Sequence, residues 1–185
     1  MSTNENSSKQ SFARGEITVE PIAKSVWIDE ISLLMPAGRY FVGDPCYTAG
    51  IDDNAWQKWC KVVDKSGNDE VLAATYNGLP VVGLHTAYGD GQYFDESGGS
   101  YGVDAGMIGA VPAQLIEAME ITEDDLKHAG YWIDFEEAFA MRRNPDGLLE
   151  IGHVQIQTGD ADDADEEDDS FIQDDSEYDL DAEEE

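Results

Sequence analysis

The last 27 residues, Gly159 to Glu185, hold sixteen Asp or Glu and no Lys, Arg or His. A run of that composition buries too little apolar surface to offset the entropy of ordering it, so it is expected to stay disordered and extended. This confines the foldable part of the chain to what precedes it. Residues 16–158 are expected to form a single globular domain, behind a flexible, Ser/Asn-rich segment at 1–15 and ahead of an acidic tail at 159–185. About 140 ordered residues suffice for one good hydrophobic core.

The chain carries 41 acids against 10 Lys and Arg, a formal net charge of −31. With sixteen acids in the tail, 25 remain against the 10 bases, so the body alone stands at −15. The tail therefore finds little basic surface to fold back on. Body and tail are expected to repel, with the tail pointing outward. Direct nucleic-acid binding is not expected, because it depends on Lys and Arg displacing counterions from phosphates. An anionic membrane surface is excluded on the same ground. The attractive partner is a basic protein surface, such as that of a nucleic-acid-binding protein, and charge steering would speed the encounter. The plainer reading of the charge is solubility alone.

Met1 to Gln10 is polar and lacks the apolar core of a signal peptide. No apolar run approaches the ~20 residues of a membrane span. The two cysteines, Cys46 and Cys60, form neither a disulfide framework nor a zinc spacing. Reduced thiols and a cytoplasmic location are the expectation.

Turn residues divide the body. Asn77-Gly78 between two apolar runs, Val71 to Tyr76 and Leu79 to Ala87, is a strong hairpin signal, since a type I′ turn needs positive φ at both central positions. Glu96-Ser97-Gly98-Gly99 joins Gln92–Asp95 to Ser100–Asp104 as a second hairpin, and Asn144-Pro145-Asp146-Gly147 is a turn by composition. Short strands are expected near Glu16–Ile22, Val26–Leu34 (with an irregularity), Arg39–Val42, Ala105–Val111, Tyr131–Met141 and Leu148–Thr158. Trp56, Trp59, Cys60 and Val63 fall at i, i+3, i+4 and i+7, which predicts a helix from Asp53 or Asn54 to Val63. Pro112 is expected to open a short helix, and Thr122, followed by three acids, to cap another that Gly130 ends. The fold class is thus α+β and mainly antiparallel: a strongly curved sheet or sandwich with one longer helix and one or two short ones.

Three places invite a chemical reading. Cys46 follows Asp44-Pro45, and with His85 and Asp104 elsewhere in the chain it supplies the parts of a nucleophile, base and orienting acid. Against this, free cysteine is among the most buried residue types, and an acidic body opposes a thiolate. Second, Asp90, Asp95 and Asp104 lie on the glycine-rich stretch Tyr88–Asp104, where oxygen donors suit Ca²⁺. That stretch matches neither an EF-hand nor a phosphate loop, and Gly and Asp also simply make turns. No cofactor is expected. Third, Phe171, Ile172, Tyr178 and Leu180 interrupt the acidic tail. Acidic-apolar alternation of this kind docks in a groove with a basic rim and orders on contact.

Gly38-Arg39-Tyr40-Phe41-Val42-Gly43-Asp44-Pro45-Cys46-Tyr47, Gly89–Tyr93 and Tyr101-Gly102-Val103-Asp104-Ala105-Gly106-Met107-Ile108-Gly109 resemble small uncharacterised proteins of bacteria and their phages. The resemblance covers roughly the body and omits both ends. It implies a bacterial or phage source and a single β-rich domain, and it brings no activity or catalytic residue with it.

The leading expectation is a non-enzymatic interaction protein that engages a basic surface. One form is a DNA mimic, in which rigidly placed carboxylates stand in for phosphates and inhibit a host nucleic-acid-binding protein. The rivals are a small Cys/His-dependent or metal-binding enzyme domain and a structural or assembly component with a solubilising tail.

Overall fold

Asn77 and Gly78 both take positive φ, 48° and 81°, as a type I′ turn requires. Around them pair two strands, β5 (Val71–Tyr76) and β6 (Leu79–His85), in register from Tyr76 opposite Leu79 to Val71 opposite Leu84. The computed structural model describes residues 17–48 and 53–159. The expectations for the flexible N-terminus at 1–15 and for the tail, including Phe171, Ile172, Tyr178 and Leu180, lie outside the described residues.

All strand pairs among the described residues are antiparallel, and they form two sheets. The first contains β5 and β6 together with β1 (Val19–Pro21), β4 (Gly38–Gly43), β9 (Met107–Pro112) and β10 (Gly130–Phe135), in the order β1-β5-β6-β9-β4-β10. The second contains β2 (Trp27–Asp29), β3 (Ser32–Met35), β7 (Gly91–Asp95), β8 (Ser100–Val103), β11 (Phe139–Arg143), β12 (Leu148–Ile151) and β13 (Val154–Gln157), in the order β2-β3-β11-β12-β13-β7-β8. Neither sheet curls strongly or closes on itself, so the strong curvature expected from sequence is not what organises the fold.

Burial explains the arrangement. One core cluster draws on both sheets, with Leu33, Met35, Met141, Leu149 and Ile156 from the second and Val42, Val82 and Ile108 from the first. A second cluster lies on the other face of the first sheet, under α1 (Asp53–Asp64), α2 (Ala113–Ala118) and α3 (Glu123–Leu126). Trp59 and Val63 of α1 are buried there, on the helical face read from their spacing, and the Trp59 indole donates to the Val81 carbonyl at 3.4 Å. The first sheet is thus covered on both faces. This is why β9 is buried at every position and reads as a continuous apolar run rather than an alternation.

Three expected strands are divided, and one glycine has a different job. Val26–Leu34 is a hairpin, β2 and β3, reversed at Glu30-Ile31. Asp29 organises it by accepting from the Ile31 N–H at 3.0 Å and the Ser32 hydroxyl at 2.6 Å, an Asx-type turn that needs no glycine. Leu148–Thr158 is also a hairpin, turned at Gly152 with φ 60°. Tyr131–Met141 changes sheet between β10 and β11, and Phe135 and Phe139 stack across the break with ring centroids 3.7 Å apart. Gly130 does not end a helix. It begins β10, where an added Cβ would lie 2.1 Å from the Val42 carbonyl oxygen.

Candidate functional site around the Asp44 turn

Four glycines lie side by side across four strands: Gly83 opposite Gly109, Gly109 opposite Gly43, and Gly43 opposite Gly130. Their neighbours two residues away, Val81, Val111, Phe41 and Trp132, all belong to the helix-side core, so the row faces that side. The space left by missing side chains is occupied. A Cβ on Gly83 would meet the Met107 sulfur at 2.6 Å, one on Gly109 the Pro45 ring at 2.9 Å, and one on Gly43 the Phe41 ring at 2.7 Å. Gly109 in this row lets the chain leaving β4 fold back over its own sheet at Pro45, while Gly83 and Gly43 make room for Met107 and Phe41.

The chain does so at Asp44-Pro45-Cys46-Tyr47. Proline fits the first position of the single helical turn Pro45–Tyr47, and Asp44 caps it by accepting from the Cys46 N–H at 2.9 Å. Thr48 closes the turn, its N–H and hydroxyl both donating to the Pro45 carbonyl at 3.1 Å. Asp44 is completely buried. Its second oxygen accepts from the N–H groups of Asp104 at 2.8 Å and Ala105 at 2.6 Å. A buried carboxylate thus meets three backbone donors, as a buried charge requires. Sequence alone assigns Asp44 no role beyond its turn. The Asp-Pro pair signals the local half of this arrangement, and no signal in the chain announces the half sixty residues away.

Of the residues proposed for catalysis, Cys46 and Asp104 come together at this turn. The Tyr47 hydroxyl donates to Asp104 Oδ2 at 2.7 Å. That bond, followed by partial burial and the negative charge around it, pushes the Tyr47 phenol well above its ordinary range. Burial raises the Cys46 thiol strongly, and Asp44, Asp104 and Asp90 raise it further. This is the reverse of the electropositive setting that makes a thiolate, so the turn holds Cys46 as a protonated thiol at neutral pH. His85 closes β6, where its N–H donates to the Glu70 carbonyl at 3.2 Å and its carbonyl accepts from Arg143 Nε at 2.9 Å. No hydrogen bond joins its imidazole to Cys46 or Asp104 among the described residues. What the site can do chemically is clamp: it ties the β4 end to the loop before β9.

The three carboxylates proposed for a metal divide in the same way. Asp90 lies beside Gly106, near enough to act on Cys46, and Asp104 is engaged by Tyr47. Asp95 belongs to a separate hub in the β7–β8 turn. It accepts from the Ser97 N–H and hydroxyl at 2.9 and 2.6 Å, the Gly99 N–H at 2.8 Å and the Tyr101 hydroxyl at 2.9 Å. Burial works to raise the Asp95 carboxyl, but these bonds together hold it below the ordinary carboxylate range. No group of three or more His, Cys, Asp or Glu side chains gathers at metal-binding geometry among the described residues. No helix there is long and apolar enough to cross a membrane.

The acids beyond the turn are arranged more suggestively. Between Glu117 and Glu137 the chain holds eight Asp or Glu against one Lys and no Arg. Thr122 and Asp125 form a reciprocal capping box that fixes α3, and Thr122 holds the Asp125 carboxyl below its usual range. Arg39 joins this segment to the end of β10: it pairs with Glu123 at 2.9 Å and stands opposite Asp134 in the β4–β10 register. Asp134, Glu136 and Glu137 then surround the β10–β11 turn beside His153. The result is a run of exposed acids carried by α2, α3, β10 and the turns that join them, as far as the β10–β11 turn. Compared with protein-family models, curated proteins and solved structures, the chain gives no match.

Proposed function

We propose that this protein is a non-enzymatic interaction module that presents fixed carboxylates to a basic protein surface. The observation that carries this reading is the acidic belt from Glu117 to Glu137. Four of its charges sit on the capped helix α3 and on β10, where the fold sets their spacing, and Glu117, Glu120, Glu136 and Glu137 flank them on α2 and in the adjoining turns. A flexible run of acids attracts cations equally well but cannot impose a spacing, and duplex mimicry depends on spacing. The preferred partner is a nucleic-acid-binding protein whose phosphate site the carboxylates would occupy, in the cytoplasm of a bacterium or phage-infected cell. The two sheets, sharing a core, serve as a sandwich scaffold for the belt. The tail, through Phe171, Ile172, Tyr178 and Leu180, adds a second contact region.

The test uses exposed acids, of which Asp124 makes a surface pair with Lys127 at 2.9 Å. Full-length protein and a variant carrying Glu117→Gln, Asp124→Asn, Glu136→Gln and Glu137→Gln are compared for capture of bacterial nucleic-acid-binding proteins at moderate salt. The expected result is a specific partner retained by the parent, lost by the variant and displaced by duplex DNA. Equal retention by both, or indifference to duplex DNA, would overturn the reading.

A further inference from the structure

The two sheets are not alike at their two open sides. At one, β8 and β10 meet through side chains: the Tyr131 hydroxyl accepts from the Ser100 N–H at 3.0 Å, and Tyr101 and Tyr131 pack edge to face. At the other, where β1 and β2 are the edge strands, a cleft of about 950 Å³ opens between the β2–β3 hairpin and the segment following α1. Its floor is apolar, formed by Trp27, Ile28, Ile31 and Val62, and reaches Ala73 of the inter-sheet core. Ile28 is 58% exposed there, a large apolar side chain left to water.

The cleft is also where the positive charge of this acidic molecule collects. The described residues include eight Lys and Arg. Four of them stand in or against the cleft: Lys24 on one wall, Lys65 on the other, and Arg142 and Arg143, which pair with the rim carboxylates of Asp29 at 3.7 Å and Glu70 at 2.6 Å. Lys24 and Lys65 have no carboxylate within ion-pair distance among the described residues. Glu30 and Asp69 complete the rim, leaving it close to neutral on a body of net charge −15.

We propose that this cleft is the docking site of the chain's own tail, with Phe171 and Ile172 as the anchors. Ser170-Phe171-Ile172-Gln173 is an uncharged quartet bracketed by Asp168-Asp169 and Asp174-Asp175. The apolar pair suits the Trp27 and Ile28 floor, and the bracketing acids suit an unpaired lysine on each wall. The geometry permits it. Thr158, at the root of the tail, accepts from the Ala87 N–H, two residues beyond His85, whose own N–H donates to Glu70 on the cleft rim. That path is roughly 20 Å, whereas the twelve residues from Gly159 to Phe171 span roughly 40 Å when extended. General repulsion between tail and body is compatible with this, because the four cations and four acids of the cleft balance. Docking of the tail here does not depend on the basic-partner reading; with Phe171 and Ile172 held by the cleft, Tyr178 and Leu180 are the tail residues left for a partner.

The test crosses two full-length variants in solution NMR, reading each change at the opposite partner. Phe171→Ser with Ile172→Ser should shift the Trp27 indole N–H and the Ile28 and Val62 methyl signals, leaving the Trp132 indole in place. Lys24→Glu with Lys65→Glu should lower the heteronuclear NOE of residues 168–175 relative to the parent. If the first variant leaves the cleft signals unmoved, or if residues 168–175 in the parent already show the NOE of the rest of 160–185, the proposal is overturned. Cleft shifts that grow with protein concentration would also overturn it, assigning the cleft to the tail of a second copy.

Discussion

Asp44 and Asp95 are the same side chain at the end of a β-strand, and each gathers backbone N–H groups into a turn, but they do different work. Asp95 holds partners two to six residues away, at the rim of a surface hairpin. Asp44, its own side chain fully buried, holds one partner two residues away and two others sixty and sixty-one residues away, on a different strand connection. The first fixes a turn that the chain would make in some form anyway. The second decides which two parts of the sheet meet. Burial sets the scale, because a donor orphaned at the surface recovers water and one orphaned inside does not.

The largest test of that difference is Asp44→Ala. It leaves three N–H groups without an acceptor and opens a gap beneath the Pro45 turn, and it should cost about 3–5 kcal/mol in urea unfolding. Asp44→Asn keeps the shape but turns an amide N–H₂ toward donors, so a loss of about half that size is expected. An Asp44→Ala variant no less stable than Asp95→Ala would break the comparison.

Glycine provides the next contrast. A Cβ at Gly109 would stand 1.9 Å from the Val82 carbonyl oxygen, a backbone atom that cannot rotate away. Gly109→Ala should therefore cost about 3 kcal/mol, as severe overpacking does. Gly98, in the Asp95 turn, has φ 84° and nothing within 4 Å of the place a methyl would take. Gly98→Ala should cost only the left-handed backbone penalty, about 1 kcal/mol. Equal losses would mean that the glycine row is not what lets the Asp44 turn close.

Asp95→Ala should cost about 1–2 kcal/mol, because the Ser97 and Gly99 donors are partly open to water and only the buried Tyr101 hydroxyl loses its acceptor inside. Its pH dependence carries a definite sign. Hydrogen bonds hold the folded carboxyl below its unfolded value near ~3.9. The stability it contributes is therefore complete above that value and is lost as pH falls through the folded one. The gap between parent and Asp95→Ala should be full at pH 6 and shrink below about pH 4. A gap unchanged at pH 3 would show that the hub does not depend on ionised Asp95.

What the sequence made legible follows the same division between local and distant. The Asn77-Gly78 hairpin, the α1 face through Trp59 and Val63, the Thr122 cap and the α+β antiparallel class are written in neighbouring residues. Each rests on φ, helical period or a cap reaching three residues. The splits at Glu30-Ile31 and Glu136–Ala138 were hidden, since Asp29 makes its turn with a side chain and the sheet change follows from packing of Phe135 on Phe139. At the candidate site, Asp44-Pro45 was visible as a turn, while its hold on Asp104 and Ala105 depends on the pairing of β4 with β9. The in-register glycine row has the same origin. No single glycine in the chain reveals that it stands beside three others.

The smallest effect bears on Cys46, the neighbour that Asp44 shapes most directly. Burial and three carboxylates hold its thiol protonated, so alkylation by iodoacetamide at pH 7.5 should run at least ~10-fold slower than for a small free thiol. Peptide mapping separates Cys46 from Cys60, whose thiol is raised too, by burial and then Asp64. Asp104→Asn removes one of the charges and should speed the Cys46 reaction a few-fold without a large loss of stability, because Asp104 is exposed and its backbone N–H still reaches Asp44. If Cys46 in the parent instead reacts as fast as a small thiol near neutral pH, the acids around it are not setting its charge. The turn would then hold a usable nucleophile, and the division between a structural clamp at Asp44 and a binding surface on the belt would have to be redrawn.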